Sequence, residues 1–281
     1  MDPVIYGILI FLAVYIGLCL IAYAIQSFFF FHPEKLPESF QFISKYDVPM
    51  NEIFIEVGDG SRINALHYHT PGSKGVVFYF KGNTRSIKGW GKFSQDFVSK
   101  NYDFFMIDYP GFGKSKGKRT ESRIYNIAQY SYRWLCERYP EEKIIIYGRS
   151  MGSGFAARIA SWNRPKMLIM DSGFYSFYHL AQRYVPILPM KWIIRYKIPT
   201  YEFIRSITCP VFFIHGNKDW VIPHRHSVMM NKEIPDRSKL FTIEGGKHNN
   251  LPSLDIYHET LNEILNNNSL YEQYKPKLNS F

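Results

Sequence analysis

Five residues near the middle of the chain have the types and spacing of a reactive turn. Residues 148–152 read Gly-Arg-Ser-Met-Gly, after an apolar run at 144–147 and at the start of an alanine-rich helical pattern. Glycines on both sides of Ser150 let the backbone turn sharply from a strand into a helix without Cβ clashes. A serine on such a turn is exposed beyond the end of a sheet. The pattern therefore predicts Ser150 as a nucleophile.

A serine hydroxyl becomes a good nucleophile only when a base removes its proton. His248 follows an apolar strand pattern at 239–246, and Asp219 follows the preceding one at 210–216. The chain order serine, acid, histidine is the order that accompanies a G-x-S-x-G turn. We therefore predict His248 as the base and Asp219 as the carboxylate that orients it.

Two other aspartates could serve as the acid. Asp108 and Asp171 also end apolar strand patterns. An aspartate in that position more often holds a loop by hydrogen bonds to the backbone. Asp219 fits the required chain order better, so Asp108 and Asp171 are kept as alternatives only.

Attack on a carbonyl creates a negative oxygen that needs hydrogen-bond donors. In turns of this type one donor is the backbone N–H of the residue after the nucleophile, here Met151. The second comes from the loop after an earlier strand, and Lys81-Gly82-Asn83-Thr84 follows the strand pattern at 75–80. We predict the N–H groups of Asn83 and Met151 as the oxyanion hole.

The surrounding patterns predict an α/β architecture. Strand patterns alternate with helical ones, and several strands are continuous apolar runs, which is typical of parallel strands covered on both faces. Two further strand patterns are joined at Gly58-Asp59-Gly60, a hairpin signal. We expect a mostly parallel sheet with helices on both sides, whose ligands bind beyond the carboxyl ends of the strands. The predicted strands span 51–57, 63–69, 75–80, 102–108, 143–148, 166–171, 210–216 and 239–246, and the helices span 87–100, 121–139, 152–162, 223–233 and 253–266.

The N-terminal segment carries no charge from Pro3 to Phe31. About 20 apolar residues cross a bilayer as a helix, so residues 1–32 are predicted as a single transmembrane anchor. Ala22-Tyr23-Ala24 resembles a signal-peptidase site, but no Lys or Arg precedes the apolar run, which also continues past that site. The charges on either side do not fix the side of the membrane on which the body lies.

The composition favours a membrane partner over nucleic acid. The chain has 34 Lys and Arg against 24 Asp and Glu, a net charge of +10, and no nucleic-acid recognition motif. A basic body favours anionic lipid. The run Lys114, Lys116, Lys118 and Arg119 is interpreted as a solvated face, with contact to lipid phosphates as the alternative.

No cofactor is expected, and the chemistry predicted for Ser150 needs neither a metal nor an organic group. His67 and His69 share a strand face, but no third metal ligand is evident. His224 and His226 are expected to be solvated. Cysteines at 19, 136 and 209 are too few for a disulfide framework and are expected as buried free thiols.

The remaining segments divide the chain as follows. Residues 33–50 form a polar connector, 51–266 the catalytic domain, and 267–281 a polar, loose tail. Residues 172–208 are aromatic and basic. They form either helices that close the core or a lid with an apolar acyl pocket that touches the membrane.

Taken together, the chain resembles an α/β-hydrolase of the membrane-anchored, serine-aminopeptidase-like branch. The residues that carry the resemblance are KGN (81–83), MIDYPGFGKSKG (106–117), YGRSMGSGFAARIA (147–160), MDSGF (170–174), FIHGNKDWVIP (213–223) and GGKHNN (245–250). The resemblance implies hydrolysis of an ester, thioester or amide with Ser150, Asp219 and His248 as the triad. Lys81 departs from it, because the family usually has histidine there.

The sequence thus predicts a membrane-anchored serine hydrolase that cleaves a carboxylic ester or thioester through an acyl-enzyme. The anchor, the basic body and the aromatic 172–208 segment favour a lipid-like acyl substrate. A serine peptidase of the aminopeptidase type is one alternative. A catalytically silent hydrolase fold, tethered to the membrane as a binding protein, is the other.

Overall fold

A computed structural model of the chain describes residues 2–44, 46 and 48–276. Within this part the strands form one sheet in the order β1-β2-β4-β3-β5-β6-β7-β8. The first two pairings, β1 with β2 and β2 with β4, are antiparallel, and the others are parallel. The strands are β1 Met50–Val57, β2 Ser61–Tyr68, β3 Val76–Phe80, β4 Asp103–Ile107, β5 Ile144–Arg149, β6 Met167–Asp171, β7 Val211–Gly216 and β8 Ser238–Ile243.

Helices cover both faces of this sheet, which confirms the predicted α/β class. Every residue of β3 to β7 is buried, as expected for continuous apolar strands between two helix layers. Ile124, Phe155 and Phe203 lie in the core on one face, and Phe97 and Leu261 lie on the other. The helices are α1 Pro3–Phe30, α2 Ile87–Trp90, α3 Gln95–Val98, α4 Glu121–Cys136, α5 Met151–Trp162, α6 Phe177–Tyr184, α7 Met190–Ile193, α8 Thr200–Arg205, α9 Arg225–Glu233, α10 Asp255–Asn266 and α11 Asn268–Tyr274.

The helix predicted over 87–100 is broken into three pieces. A 3-10 turn over Gly91–Ser94 separates α2 from α3. A Cβ at Gly91 would lie 2.8 Å from the hydroxyl of Tyr68, so a larger residue here would have to displace that side chain.

The N-terminal helix α1 is long and apolar enough to cross a membrane. Its end and the following residue join the domain: Phe31 is buried and contacts the rings of Phe112 and Tyr196. Residues 33–44 of the connector are exposed or half-buried.

The 172–208 segment forms α6, α7 and α8. Some of its residues close the core, as the first prediction requires, and others are exposed and apolar, as the lid prediction requires. Leu180, Tyr196 and Ile198 are buried in the core. Ile187 and Trp192 are among the most exposed large apolar residues of the domain. One side of the segment therefore closes the core, and the other presents apolar surface.

The C-terminal tail differs from the loose segment that its polar composition predicts. Residues 268–274 form α11, and Leu270 is buried in the core with α10. Asn267 caps this helix by accepting a hydrogen bond from the Leu270 N–H. Residues 277–281 lie outside the described residues.

Leu270→Ala tests this packing. We expect the free energy of unfolding to fall by about 2–3 kcal/mol, because the change removes buried methyl groups and leaves a cavity. Gln273→Ala, at an exposed position of the same helix, is the matched control and should change it little. Urea denaturation of the detergent-solubilised chain measures both. Equal, small effects would mean that α11 does not belong to the core.

Candidate active site

The serine turn is held by close backbone packing. Ser150 directly follows β5 and adopts φ 53° and ψ −123°, a strained conformation for a residue with a side chain. Its N–H donates to the carbonyl oxygen of Asp171 at 2.9 Å. A Cβ at Gly148 would collide with α5, and one at Gly152 would collide with the Phe80 carbonyl. Only glycine at these two positions lets the helix start this close to the sheet.

The structure brings together the three residues that the sequence assigns to catalysis. The Ser150 Oγ lies 3.0 Å from the Nε2 of His248. The Nδ1 of the same imidazole lies 2.7 Å from the Oδ2 of Asp219. Each side chain follows a different strand at the same edge of the sheet, so the three loops meet only after the sheet has formed.

The surroundings of the Asp219 carboxylate stabilise its ionised form. Burial alone would raise its pKa, but hydrogen bonds from His215 and His248 outweigh burial and hold the pKa well below its usual range. Its Oδ1 also accepts the N–H groups of Val221 and Ile222. A carboxylate fixed in this way can keep the Nδ1 of His248 protonated and leave Nε2 free to accept a proton.

The loop after β3 lies against the serine, as the predicted oxyanion hole requires. A Cβ on Gly82 would be 3.7 Å from the Cβ of Ser150. Asn83 and Met151 both line the cavity that contains Ser150. Among the described residues, neither backbone N–H has a protein acceptor within hydrogen-bond distance. Both donors are therefore available to an oxygen in the cavity.

Sequence reasoning missed what holds Asn83 in place. Its side-chain amide donates to the Phe30 carbonyl at 2.9 Å, and its own carbonyl accepts the His32 N–H at 2.9 Å. The Arg85 N–H donates to the His32 carbonyl. The end of α1 thus pairs with the oxyanion loop as a short strand would.

Lys81, which stands where the family that the chain resembles usually has histidine, supports this loop from the side of the protein core. Its Nζ is fully buried, donates to the Arg85 carbonyl at 3.2 Å and lies 3.5 Å from the Oδ1 of Asp108. It also lies 3.8 Å from the centre of the Phe112 ring, a cation–π contact. Burial lowers the pKa of Lys81 and raises that of Asp108, and the attraction between the two charges opposes both shifts.

Both alternative acids therefore have other partners. Asp108 pairs with Lys81 and accepts the Ile87 N–H. Asp171 accepts the hydroxyl of Tyr147 and lies 3.4 Å from the Arg149 guanidinium.

Ser150 opens into a cavity of about 850 Å³ whose two sides differ. One side is apolar and comes from α1, the 172–208 segment and the loop after β7. The other carries the cations Arg85, Lys92 and Arg149 together with the aromatic rings of Trp90 and Phe93. The apolar side is formed by Phe29, Phe30, Phe174, Phe177, Leu180, Ala181, Tyr184, Val185, Met190, Val221 and Ile222.

Other histidines and basic residues differ from the sequence-based expectations. His67 and His69 do have a third neighbour of metal-ligand type, Asp103, with ligand atoms within 4.8 Å of one another. The hydroxyl of Tyr139 hydrogen-bonds both His67 and Asp103 in that cluster. His226 is buried, although a solvated position was predicted.

The basic run after β4 is likewise only partly solvated. Lys114 is buried against Glu52 at 2.9 Å, and Arg119 stacks on Phe31. Contact with lipid phosphates is therefore not open to Lys114.

Comparisons with known proteins agree with this fold. A family model described as serine aminopeptidase, S33, matches residues 71–203. The alpha/beta hydrolase domain-containing protein 17C of Xenopus tropicalis is 28% identical over 199 residues, which cover 70% of this chain and 63% of that protein. The chain thus aligns with less than two thirds of that relative. The protein YfhR of Escherichia coli O157:H7 is 24% identical over 235 residues, 79% of each chain.

Solved structures show the same architecture. The Pyrococcus furiosus esterase Pf2001 superposes with a TM-score of 0.67 at 18% identity, covering 88% of this chain and 99% of the esterase. The thioesterase domain from the curacin biosynthetic pathway gives a TM-score of 0.57 at 16% identity over 77% of this chain and 99% of that domain. The chain thus has the α/β-hydrolase fold of these structures, and its sequence is similar to the serine aminopeptidase, S33, family over residues 71–203.

The buried Lys81–Asp108 pair makes a testable prediction. Lys81→Met should lower the free energy of unfolding by about 3–5 kcal/mol, because it leaves a buried carboxylate without its cation. The double variant Lys81→Met/Asp108→Asn should recover most of that loss, since no buried charge remains. Urea denaturation at neutral pH of the wild type, the single variants Lys81→Met and Asp108→Asn, and the double variant completes this double-mutant cycle. Simple addition of the two single effects would contradict an ion pair.

Proposed function

We propose that the chain is a membrane-anchored serine hydrolase that cleaves a carboxylic ester or thioester. The observation that carries the proposal is the series of hydrogen bonds Ser150–His248–Asp219 at the edge of a cavity with one apolar side. A serine with only a structural role has no need for a histidine and a buried carboxylate in series. The same series argues against a catalytically silent binding protein.

The mechanism follows from the positions of these groups. The Ser150 Oγ attacks the substrate carbonyl carbon while the Nε2 of His248 accepts its proton, and Asp219 stabilises the imidazolium that forms. The N–H groups of Asn83 and Met151 hold the negative oxygen. His248 then donates the proton to the departing alcohol or thiol, which leaves Ser150 acylated. Water activated by His248 hydrolyses the acyl-enzyme, so the protein's own groups and water account for every step.

The lining of the cavity favours an acyl ester over a peptide with a free amino terminus. Among the described lining residues, three carry a positive charge and none is a carboxylate. An aminopeptidase must bind the positive α-ammonium of its substrate, which a carboxylate would do and a cation would oppose. The apolar side accepts an acyl chain, and the printed names of the esterase and thioesterase neighbours support the same reaction class.

We place the protein in a membrane through α1. The helix has 28 residues without a charge, and a bilayer core needs about 20. A bilayer-bound enzyme meets acyl substrates that are concentrated in the same membrane. The side of the membrane on which the domain lies is left open.

Ser150→Ala should abolish turnover of a nitrophenyl ester, with a fall of at least about 10⁴-fold, because the group that forms the acyl-enzyme is lost. Ser161→Ala, on α5 and away from the cavity, is the matched control and should keep full activity. Steady-state kinetics on the detergent-solubilised chain measures both. Retained activity in Ser150→Ala would refute the mechanism.

The apolar side of the cavity predicts a change in chain-length preference. Ala181→Phe fills part of that side, so kcat/KM for a long acyl ester should fall at least about tenfold while acetyl ester hydrolysis persists. A ladder of nitrophenyl esters, with an aminoacyl anilide alongside, measures this. An equal fall for all lengths would place the acyl chain elsewhere. Faster cleavage of the anilide than of the esters would favour the peptidase.

A further inference from the structure

One face of α1 contacts the 172–208 segment over much of its length. Tyr15, Cys19, Ala22, Gln26 and Phe30 are partly or fully buried, while most of the helix is exposed. These positions are separated by three or four residues, so they form a single stripe. The helix therefore lies along the domain for about four turns and does not leave it at Phe31.

Two polar residues fix this contact near the C-terminal end of α1. Gln26 is buried, donates to the Ile193 carbonyl at 3.0 Å and accepts the Arg195 N–H at 2.6 Å. Ser27 hydrogen-bonds the hydroxyl of Tyr196 at 3.1 Å. Both side chains interrupt an otherwise apolar helix, and both are satisfied by the 172–208 segment.

A third contact sets the height of the loop between α6 and α7. The hydroxyl of Tyr15 donates to the Ile187 carbonyl at 2.9 Å. Any stretch of about 20 residues within Pro3–Phe30 that spans the bilayer includes Tyr15. If the span starts at Pro3 it ends near Ala22, about 10 Å along the axis from Tyr15. The loop at Ile187 is then level with the hydrocarbon and not with the aqueous phase.

This loop, taken together with Met190 as the first residue of α7, is called the 185–190 loop, and it has the composition that such a position demands. It reads Val-Pro-Ile-Leu-Pro-Met, with no charged or polar side chain and two prolines that lack an N–H. Ile187 is 77% exposed. In water, an exposed loop of this kind would gain nothing from being apolar.

The carbonyl groups of the 185–190 loop all have protein donors. The Gln182 side-chain amide donates to the carbonyls of Val185, Pro186 and Leu188. Tyr15 takes the carbonyl of Ile187, and N–H groups of α7 and its C-cap take those of Pro189 and Met190. Carbonyls at membrane depth need such donors, because non-helical backbone is tolerated there only when its polar groups are satisfied by protein. The N–H groups of Val185, Leu188 and Met190 also have protein acceptors, and that of Ile187 has none among the described residues.

The residues around the loop are of the types found where the membrane hydrocarbon meets the head groups. Trp192 is 80% exposed, and tryptophan is enriched where hydrocarbon meets head groups. Arg183, Lys191 and Arg195 are exposed next to the loop, where cations attract lipid phosphates. An apolar loop flanked by an exposed tryptophan and by cations has the residue types that suit the hydrocarbon and the head groups of one leaflet.

We propose that the 185–190 loop inserts into the lipid bilayer beside α1, and that the substrate is a long-chain acyl ester or thioester whose acyl chain passes from that leaflet into the cavity. The inference rests on the proposed function. Val185 and Met190 line the cavity from the loop, and Phe29 and Phe30 line it from α1. An acyl chain can therefore move between these two elements without crossing water.

Site-directed spin labelling of the full chain tests the insertion. In a background with Cys19, Cys136 and Cys209 replaced, Ile187→Cys carries a nitroxide in vesicles of phosphatidylcholine with phosphatidylglycerol. The label should be accessible to oxygen and protected from a water-soluble nickel chelate. Glu142→Cys, exposed at the opposite edge of the sheet, should show the reverse. Equal exposure of both labels to the chelate would overturn the insertion.

Ile187→Asp tests the consequence for the substrate. The ratio of activity on a long-chain phospholipid in vesicles to activity on dissolved nitrophenyl acetate should fall at least about tenfold, because a carboxylate resists insertion. Ile43→Asp, at another exposed isoleucine in the connector, should leave that ratio unchanged. An unchanged ratio in Ile187→Asp overturns the inference. If the wild type cleaves no ester in either form, the proposed function fails while the labelling result stands.

Discussion

The site depends on one tight backbone approach, where β5 ends and α5 begins. Gly148 and Gly152 have no room for a Cβ, and Ser150 between them is held at a positive φ. This geometry places the helix N-terminus beneath the serine and directs the hydroxyl to the sheet edge where the loops of Asp219 and His248 arrive. The strain is maintained by the sheet, because the Ser150 N–H is bound to the end of β6. The hydrogen bonds that join Ser150, His248 and Asp219 can therefore form only once the sheet has assembled.

The second dependence runs through the N-terminal helix, which contributes to the site and is also the proposed anchor. Its last turn supplies a carbonyl to the Asn83 side chain and rings to the cavity. The buried Lys81–Asp108 pair braces the same loop from the opposite side. The proposed oxyanion loop is thus held between α1 and the core, which links the proposed position of the domain on a bilayer to the geometry of the cavity.

Local patterns were enough to predict the sheet, its helix layers and the loops that carry Ser150, Asp219 and His248, because each lies at the end of a strong apolar strand signal. They were not enough for contacts across long stretches of sequence. Asp103 joins His67 and His69 only through the pairing of β2 with β4. Gln26 and Ser27 stand out as polar residues in an apolar helix, yet nothing local names Ile193, Arg195 or Tyr196 as their partners. The tail helix was missed because one buried leucine decides it.

The central claim is that Ser150 is an activated nucleophile. The most direct measurement is reaction of the full chain with a fluorophosphonate, followed by digestion and mass spectrometry of the peptide from Ser150 to Arg158. The account predicts one phosphonate on Ser150 in the wild type and a strongly reduced yield in His248→Ala, since the base is gone. Modification of another residue, or an equal yield without His248, would contradict it.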